Sequence, residues 1–209
     1  TYCMKQVDVL NLEMTSFPSR DREMSSLVCN YLRLQGFSVV EKSIYNWRYN
    51  LVKYRPKVLL ISNSVGSLVN HMVVKYAKTK GFSVVTMVSE GNYVESAKMV
   101  KGFLWGWNRD KILYEDISLQ WTQRAKKMML KYHPELEKSL KVSGAVGFDK
   151  YRISNFKSRE IFLRKYGKQK FKKVFGFACW TFGVCYEEDP NHRYALDRYG
   201  GLILQRIEN

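Results

Sequence analysis

Glu90 is the residue whose position best suits acid–base chemistry, because it follows directly on an apolar, valine-rich run. Residues 82–88 form this run, and they lead into Ser89-Glu90-Gly91. A carboxylate at the end of a strand can serve as a general base where partial burial raises its pKa towards neutrality. A single loop glutamate is equally compatible with a helix cap or a solvated charge, so both interpretations stay open.

Two other groups of polar residues lie where predicted strands end. Arg20 and Asp21 open a helical pattern, where backbone N–H groups favour a phosphate or an anionic sugar, although they are also typical of a charged first helical turn. Asn63 and Ser64 offer amide and hydroxyl groups to a ligand, or one of them caps the next helix. Ligands of open α/β sheets bind at the carboxyl ends of strands, so we expect Glu90 within reach of both loops.

The sequence lacks several established catalytic motifs. It contains no GxGxxG fingerprint, no GxxxxGK[ST] phosphate loop, no serine nucleophile elbow and no HExxH. The four cysteines form no CxxC pair and none of the three histidines makes a credible metal site, so we expect neither a metal nor a cofactor. Trp105, Trp107 and Trp121 could form an aromatic platform for a sugar or a base, although large aromatics usually pack in a core.

The net charge of +16 predicts an attraction to polyanions. Segment 121–173 carries 16 Lys and Arg against 4 Asp and Glu, with aromatic residues between them. Nucleic acid, an anionic membrane surface and acidic or phosphorylated sugars are candidate partners, and a solvated basic face is the alternative. No stretch approaches the roughly 20 apolar residues of a spanning helix, so we expect a cytoplasmic protein with at most a peripheral membrane contact.

The elements that position these residues follow an α/β pattern, in which short apolar runs alternate with helical periodicity. Gly36 and Gly81 each end a helical pattern just before the same Phe-Ser-Val-Val run. We expect a mainly parallel, Rossmann-like sheet with helices on both faces. The predicted strands are 7–12, 37–40, 57–62, 82–88, 111–114 and 140–144, and one predicted helix spans 117–132.

Three regions divide the chain by composition. Residues 1–150 form the Rossmann-like domain, and 151–171 form a basic, helical linker. Residues 172–209 begin a second α/β domain with a strand at 173–179, which we expect to be incomplete at Asn209.

Several short motifs occur in an order that resembles one enzyme family. They are Arg20-Asp21, Ser89-Glu90-Gly91, the segment 116–121, the segment 142–149 and Trp180-Thr181-Phe182-Gly183. Together, over about residues 6–183, they resemble the GT-B glycosyltransferase-like enzymes of bacterial surface polysaccharide synthesis, in particular Kdo transferases and other CMP-sugar transferases. Thr122 stands where the family usually has glycine, and residues 145–147 replace its Asn-Pro-Arg.

The resemblance implies an acceptor-side domain at 1–150 and a nucleotide-binding domain from 172. Glu90 would be the catalytic carboxylate, and transfer would run from a nucleotide sugar, CMP-linked in the closest group, to a glycan or glycolipid acceptor. Little transfer is then expected from these 209 residues alone. Residues expected to contact substrate are Arg20, Asp21, Asn63, Ser64, Gly91 and Asn92, with Thr181, Phe182 and Gly183 on the nucleotide side.

Two other classes remain open at the level of sequence. One is a basic nucleic-acid-binding α/β protein, which the charge favours but no known binding motif supports. The other is a non-catalytic scaffold that retains one GT-B domain.

Overall fold

A six-stranded sheet organises the part of the chain that the structure describes. The computed structural model describes residues 6–14, 20–91 and 94–174. The strands are β1 Val9–Glu13, β2 Val39–Ser43, β3 Val58–Ile61, β4 Ser83–Met87, β5 Ile117–Gln120 and β6 Leu140–Val142. They lie in the order β2-β1-β3-β4-β5-β6, and every neighbouring pair is parallel. The predicted Rossmann-like α/β fold is therefore confirmed.

Helices connect the strands. They are α1 Arg20–Leu34, α2 Trp47–Tyr54, α3 Leu68–Thr79, α4 Ala97–Trp105, α5 Gln123–Tyr132, α6 Lys150–Ile153 and α7 Arg159–Lys165, with short 3-10 turns at 44–46, 134–136 and 146–148. Several of these helices begin at a capping residue, whose side-chain hydroxyl accepts a hydrogen bond from a backbone N–H of the first turn. Ser67, Ser96, Thr122 and Ser158 do so for α3, α4, α5 and α7.

Both faces of the sheet are covered, because successive side chains of a strand point to opposite faces. Leu10 and Leu59 belong to a core cluster that includes residues of α2 and α3. Val9 and Leu60, their neighbours in the same strands, belong to a second cluster with α1. A third cluster joins α4 and α5 to Leu140 of β6. All five residues of β1 are buried, as expected for a central parallel strand.

The two glycine joints adopt the geometry that their sequence predicts. Gly36 has φ 88° and Gly81 has φ 81°, a left-handed conformation that side chains other than hydrogen disfavour. Each lies at the end of a helix and before a strand, so the chain reverses there at little steric cost.

The fifth strand lies later in the chain than predicted. Residues 111–114 have no regular secondary structure, and β5 occupies the segment that was expected to begin a helix. This segment alternates apolar and polar residues from Ile117 to Gln120, which is the period of a strand. Helix α5 begins at Gln123, after Thr122 accepts the N–H of Ala125 at 3.0 Å.

Two helices were not predicted, although the sequence contains signals for both. In α2, Trp47 and Leu51 are buried and lie four residues apart. In α4, Ser96 is a capping residue, and Val100 and Leu104 form its buried stripe.

The chain divides into two compact units, Thr1–Ser154 and Asn155–Asn209. The sheet belongs to the first unit, and α7 is the helix described in the second. The predicted strand at 173–179 lies almost wholly outside the described residues, so the second α/β domain stays a prediction. Within the described ranges, no helix is long and apolar enough to cross a membrane.

Candidate functional site

A cleft of about 710 Å³ lies in the first unit, where several strand-to-helix loops meet. Its wall includes Arg20 from the start of α1, Ser89 and Glu90 after β4, and Trp121 after β5. The 3-10 turn that follows β6 contributes Phe148. These residues follow the carboxyl ends of parallel strands, where α/β proteins bind their ligands. The structure thus brings together Arg20, Glu90 and Gly91, three of the residues predicted to form a site.

Glu90 and Arg20 form an ion pair in this cleft. Arg20 Nη1 lies 2.9 Å from Glu90 Oε1, and Arg20 Nε lies 3.2 Å from Asp21 Oδ1. The side chains of Arg20 and Glu90 are 58% and 63% exposed. The Glu90 carboxylate is therefore more exposed than the partial burial that its position in the sequence suggests.

Gly91 allows Trp121 to form the wall of the cleft. A Cβ atom on Gly91 would overlap the indole ring of Trp121. The indole Nε1 donates a hydrogen bond to the carbonyl oxygen of Val88 at 2.5 Å, which fixes the ring over the loop after β4. Packing against Trp121 therefore requires a glycine at position 91, whether or not a ligand binds in the cleft.

The aromatic surface of the cleft differs from the predicted platform of three tryptophans. Trp105 is 6% exposed and packs in the core between α4 and α5, so it faces no ligand space. Trp121 instead contacts Phe148, and their ring centroids lie 5.5 Å apart. The ring centroids of Phe148 and Tyr151 lie 6.1 Å apart. All three of these rings line the cleft.

Ser89 carries an unpaired hydroxyl at the cleft. The residue is 2% exposed, and its Oγ has no hydrogen-bond partner in the described residues. Buried polar atoms are nearly always paired, so this hydroxyl is available for a hydrogen bond with a group from outside the described residues.

Asn63 and Ser64 do not cap α3, because Ser67 accepts the N–H of Asn70 in that role at 3.2 Å. The Asn63 side-chain oxygen instead accepts the N–H groups of Val65 and Gly66, which shapes the loop after β3. The Ser64 hydroxyl turns inward and belongs to a separate polar cavity, which Asn63 and Glu90 also line.

Glu13 is a buried carboxyl group that sequence analysis missed. It ends β1, which lies between β2 and β3 at the point where the strand order reverses. Its two oxygens accept the N–H of Ser62 at 2.8 Å and the Ser62 hydroxyl at 2.6 Å, and Asn11 Nδ2 donates to Oε1 at 3.2 Å. Burial raises the pKa of Glu13 to about 7. Glu13 thus links the ends of β1 and β3.

Glu115 is the second buried carboxyl group. Its Oε1 accepts the hydroxyl of Ser64 at 2.7 Å and that of Thr86 at 3.2 Å, and burial raises its pKa. Both buried glutamates have a faint signal in the sequence, since polar residues interrupt otherwise apolar strand segments. The sequence does not reveal the hydroxyl groups that these glutamates contact, because the strand order determines which strands and loops are neighbours.

Several predicted site residues lie outside the described ranges. These are Asn92 on the acceptor side and Thr181, Phe182 and Gly183 on the nucleotide side. Across the described ranges, no group of three or more His, Cys, Asp or Glu residues has the geometry of a metal site.

The cleft combines three chemical capacities. Glu90 is an accessible carboxylate that can accept a proton, Arg20 can hold an anionic group, and three aromatic rings can stack on a sugar ring. No protein-family model matches the sequence, and no curated protein is significantly similar to it.

Proposed function

We propose that the first unit is the acceptor-binding domain of a GT-B-type glycosyltransferase of bacterial surface polysaccharide synthesis. The observation that carries the proposal is the position of Glu90, which lies in a cleft at the carboxyl ends of parallel strands, 2.9 Å from Arg20. The aromatic wall beside it suits a sugar acceptor, and the unpaired Ser89 hydroxyl suits a sugar hydroxyl group.

In the proposed reaction, an acceptor ring stacks on Trp121 and Phe148 and presents one hydroxyl group to Glu90. Glu90 takes the proton while the acceptor oxygen forms a bond to the anomeric carbon of the donor. The bond between that carbon and the nucleotide phosphate breaks, and the nucleotide leaves with the electron pair. Arg20 orients the Glu90 carboxylate through their ion pair. The donor nucleotide would bind the second domain through Thr181, Phe182 and Gly183.

Glu90 is a better candidate for the base than either buried glutamate. Both carboxyl oxygens of Glu13 accept hydrogen bonds from Ser62. Glu13 also lines a separate small cavity of about 170 Å³. Glu115 lies below the surface and is bonded to two hydroxyl groups. Of the three, Glu90 is the one that lines the large cleft.

The charges in the cleft favour a glycan over a nucleic acid. Arg20 is paired with Glu90, and Lys150 is paired with Glu23 at 2.8 Å, so each of these cations has a carboxylate beside it. A nucleic-acid site gains its affinity from cations that neutralise phosphates, and carboxylates at the same positions oppose that.

We also propose peripheral contact with an anionic membrane through segment 121–173. In the second unit, residues 155–173 carry eight basic residues and one acidic residue, and all nine are exposed. Phe156, Phe162, Tyr166 and Phe171 are exposed among them, at 46% or more. Exposed aromatics interleaved with lysines and arginines are typical of surfaces that bind the membrane interface.

The test of the proposed function is a transfer assay on the protein encoded by the native gene. A panel of nucleotide sugars, including CMP-linked ones, is offered with glycan acceptors, and nucleotide release is measured. Glu90→Gln is compared with Glu95→Gln, an exposed glutamate paired with Lys131 outside the cleft wall. We expect turnover to fall in Glu90→Gln and to be unchanged in Glu95→Gln.

A further inference from the structure

A second cavity, of about 180 Å³, adjoins the large cleft. Glu90 and Phe103 line both spaces, so the two meet at these side chains. The wall of the smaller cavity includes five polar side chains that are buried in the protein. They are Ser64, Thr86, Glu115, Ser118 and Gln120.

Hydrogen bonds within this wall satisfy most of its polar atoms but not all of them. Ser64 and Thr86 both donate to Oε1 of Glu115. Gln120 Nε2 donates to the Ser118 hydroxyl at 3.0 Å. These bonds hold the five side chains in fixed positions, as the wall of a binding site requires.

Gln120 is the exception. It is 1% exposed, and its Oε1 has no hydrogen-bond partner among the described residues. An unpaired buried acceptor costs about 1–3 kcal/mol, so a site of this kind favours a partner from outside the described residues. The partner must be a hydrogen-bond donor, because the free atom is a carbonyl oxygen.

The lining of the cavity defines the class of ligand. It contains hydroxyl, amide and carboxyl groups but no lysine, arginine or histidine, so it offers nothing to neutralise a phosphate or a carboxylate. Its volume equals that of about six waters at roughly 30 Å³ each, which is far more than a bare metal ion fills. A neutral group with several hydroxyls can donate to Gln120 Oε1 and can also donate to the oxygens of Ser64 and Thr86, whose own hydrogens are directed to Glu115.

We propose that this cavity binds one neutral sugar ring, or an equivalent neutral polyol group, with Gln120 Oε1 accepting a hydrogen bond from a ligand hydroxyl. The choice of a sugar rests on the proposed function, which it deepens by naming a neutral ring of the acceptor. The meeting of the two spaces at Glu90 places this ring next to the proposed base.

The test uses the 209-residue chain labelled with nitrogen-15, so that the side-chain amide of Gln120 can be followed by NMR. Glucose, galactose, mannose and N-acetylglucosamine are each titrated, with inorganic phosphate and Mg²⁺ as counter-probes. We expect a saturable shift of the Gln120 amide with at least one sugar, and a smaller shift or none with phosphate and Mg²⁺.

Two variants assign the shift to the cavity. Gln120→Met removes the acceptor and Thr86→Val removes one hydroxyl at almost constant shape, and each should weaken sugar binding about tenfold or more, the effect of one lost hydrogen bond. Because Thr86→Val keeps the shape of the core, it remains informative if Gln120→Met unfolds. Gln123→Met makes the same chemical change at an exposed site on α5 and should leave the affinity unchanged.

Three results would overturn the inference. They are the absence of any sugar-induced shift, sugar binding that neither cavity variant weakens, and a larger response to phosphate or Mg²⁺ than to sugar. The readout needs no turnover, so it fails or succeeds independently of the transfer assay. If transfer depends on Glu90 but sugar binding does not depend on Gln120, the cavity is not a sugar site and the proposed function is unaffected.

Discussion

Glu13 is a buried carboxylic acid at the end of β1, an inner strand of the sheet, where the charged form is disfavoured. Three donors from Ser62 and Asn11 surround its carboxyl group, but burial outweighs them and raises its pKa from 4.5 to about 7. The folded protein therefore binds a proton at Glu13 more tightly than the unfolded chain does. Stability must then decrease as the pH rises from about 4.5 to about 7, because the charged form is favoured in the unfolded state.

Glu13→Gln should remove this pH dependence. The amide can still accept the Ser62 N–H and can donate to the Ser62 hydroxyl, and it has no charge to bury. We expect the difference in unfolding free energy, variant minus wild type, to increase by about 3 kcal/mol between pH 4.5 and pH 7.5. Urea denaturation of both proteins at each pH measures it. A difference that stays constant with pH would show that Glu13 titrates normally.

The difference between the two proteins isolates Glu13 from the other acids. Glu115 is shifted in the same direction by burial and is present in both proteins. Asp116 is partly buried, which raises its pKa, but its contacts with Lys78 and the Val84 N–H outweigh the burial and lower the pKa. Its contribution to stability therefore has the opposite pH dependence, and Asp116 is also present in both proteins.

At the scale of elements, the loop after β4 and the start of α5 are held together by the contact of Gly91 with Trp121. Trp121 also donates to Val88, so the ring is fixed on both sides. The geometry of the cleft wall therefore depends on one glycine whose missing side chain leaves room for an indole.

Gly91→Ala should displace Trp121 and destabilise the protein by about 1–3 kcal/mol, the usual cost of overpacking. Gly102→Ala is the matched control, because Gly102 lies exposed in α4 and a Cβ there meets no atom within 4 Å. The unfolding free energy of the Gly102→Ala control should increase by up to about 1 kcal/mol, because alanine has a better helix propensity than glycine. Chemical denaturation distinguishes the two, and equal stability of Gly91→Ala and wild type would contradict the packing argument.

The sequence predicted the elements better than the site, and particular residues show why. Strand periodicity and the Gly36 and Gly81 joints are local signals, so β1 to β4 and β6 appear near their predicted positions. The error at β5 arose because its four residues also fit the start of the helical pattern that follows. The sequence predicts Arg20 and Glu90 within reach of each other, because parallel strands end at one edge of the sheet.

The cavity around Gln120 could not be predicted in this way. Its polar side chains come from loops and strands that meet only once the order β3-β4-β5 is known. The same holds for Phe148 and Tyr151, which read as part of a basic segment and line the cleft together with Trp121.

At the scale of the whole molecule, the charge is unevenly distributed along the chain. The net charge is +16, and segment 121–173 alone has 16 basic and 4 acidic residues. A local excess of this kind attracts anionic surfaces within about 8 Å at physiological salt, and aromatic residues at the same places add apolar contact.

Removal of three lysines from the second unit should weaken binding to anionic vesicles. Lys168→Gln, Lys170→Gln and Lys172→Gln together are expected to reduce partitioning about 100-fold, since each basic residue near an anionic leaflet contributes roughly 1 kcal/mol. Lys80→Gln, Lys98→Gln and Lys101→Gln remove the same charge from exposed sites outside the segment and should have a much smaller effect. Flotation with phosphatidylserine and with phosphatidylcholine vesicles measures both, and binding without preference for the anionic vesicles would refute the membrane contact.

We propose that Glu90 is the base of a transferase, and the ratio of kcat between wild type and Glu90→Gln measures its contribution. A general base contributes about 10²–10⁴-fold, so kcat should fall by that factor. The ion pair of Glu90 with Arg20 is exposed and contributes at most about 1 kcal/mol, so the unfolding free energy should stay nearly unchanged. Glu95→Gln should retain the wild-type kcat. A Glu90→Gln variant that turns over as fast as wild type would show that Glu90 is not the base.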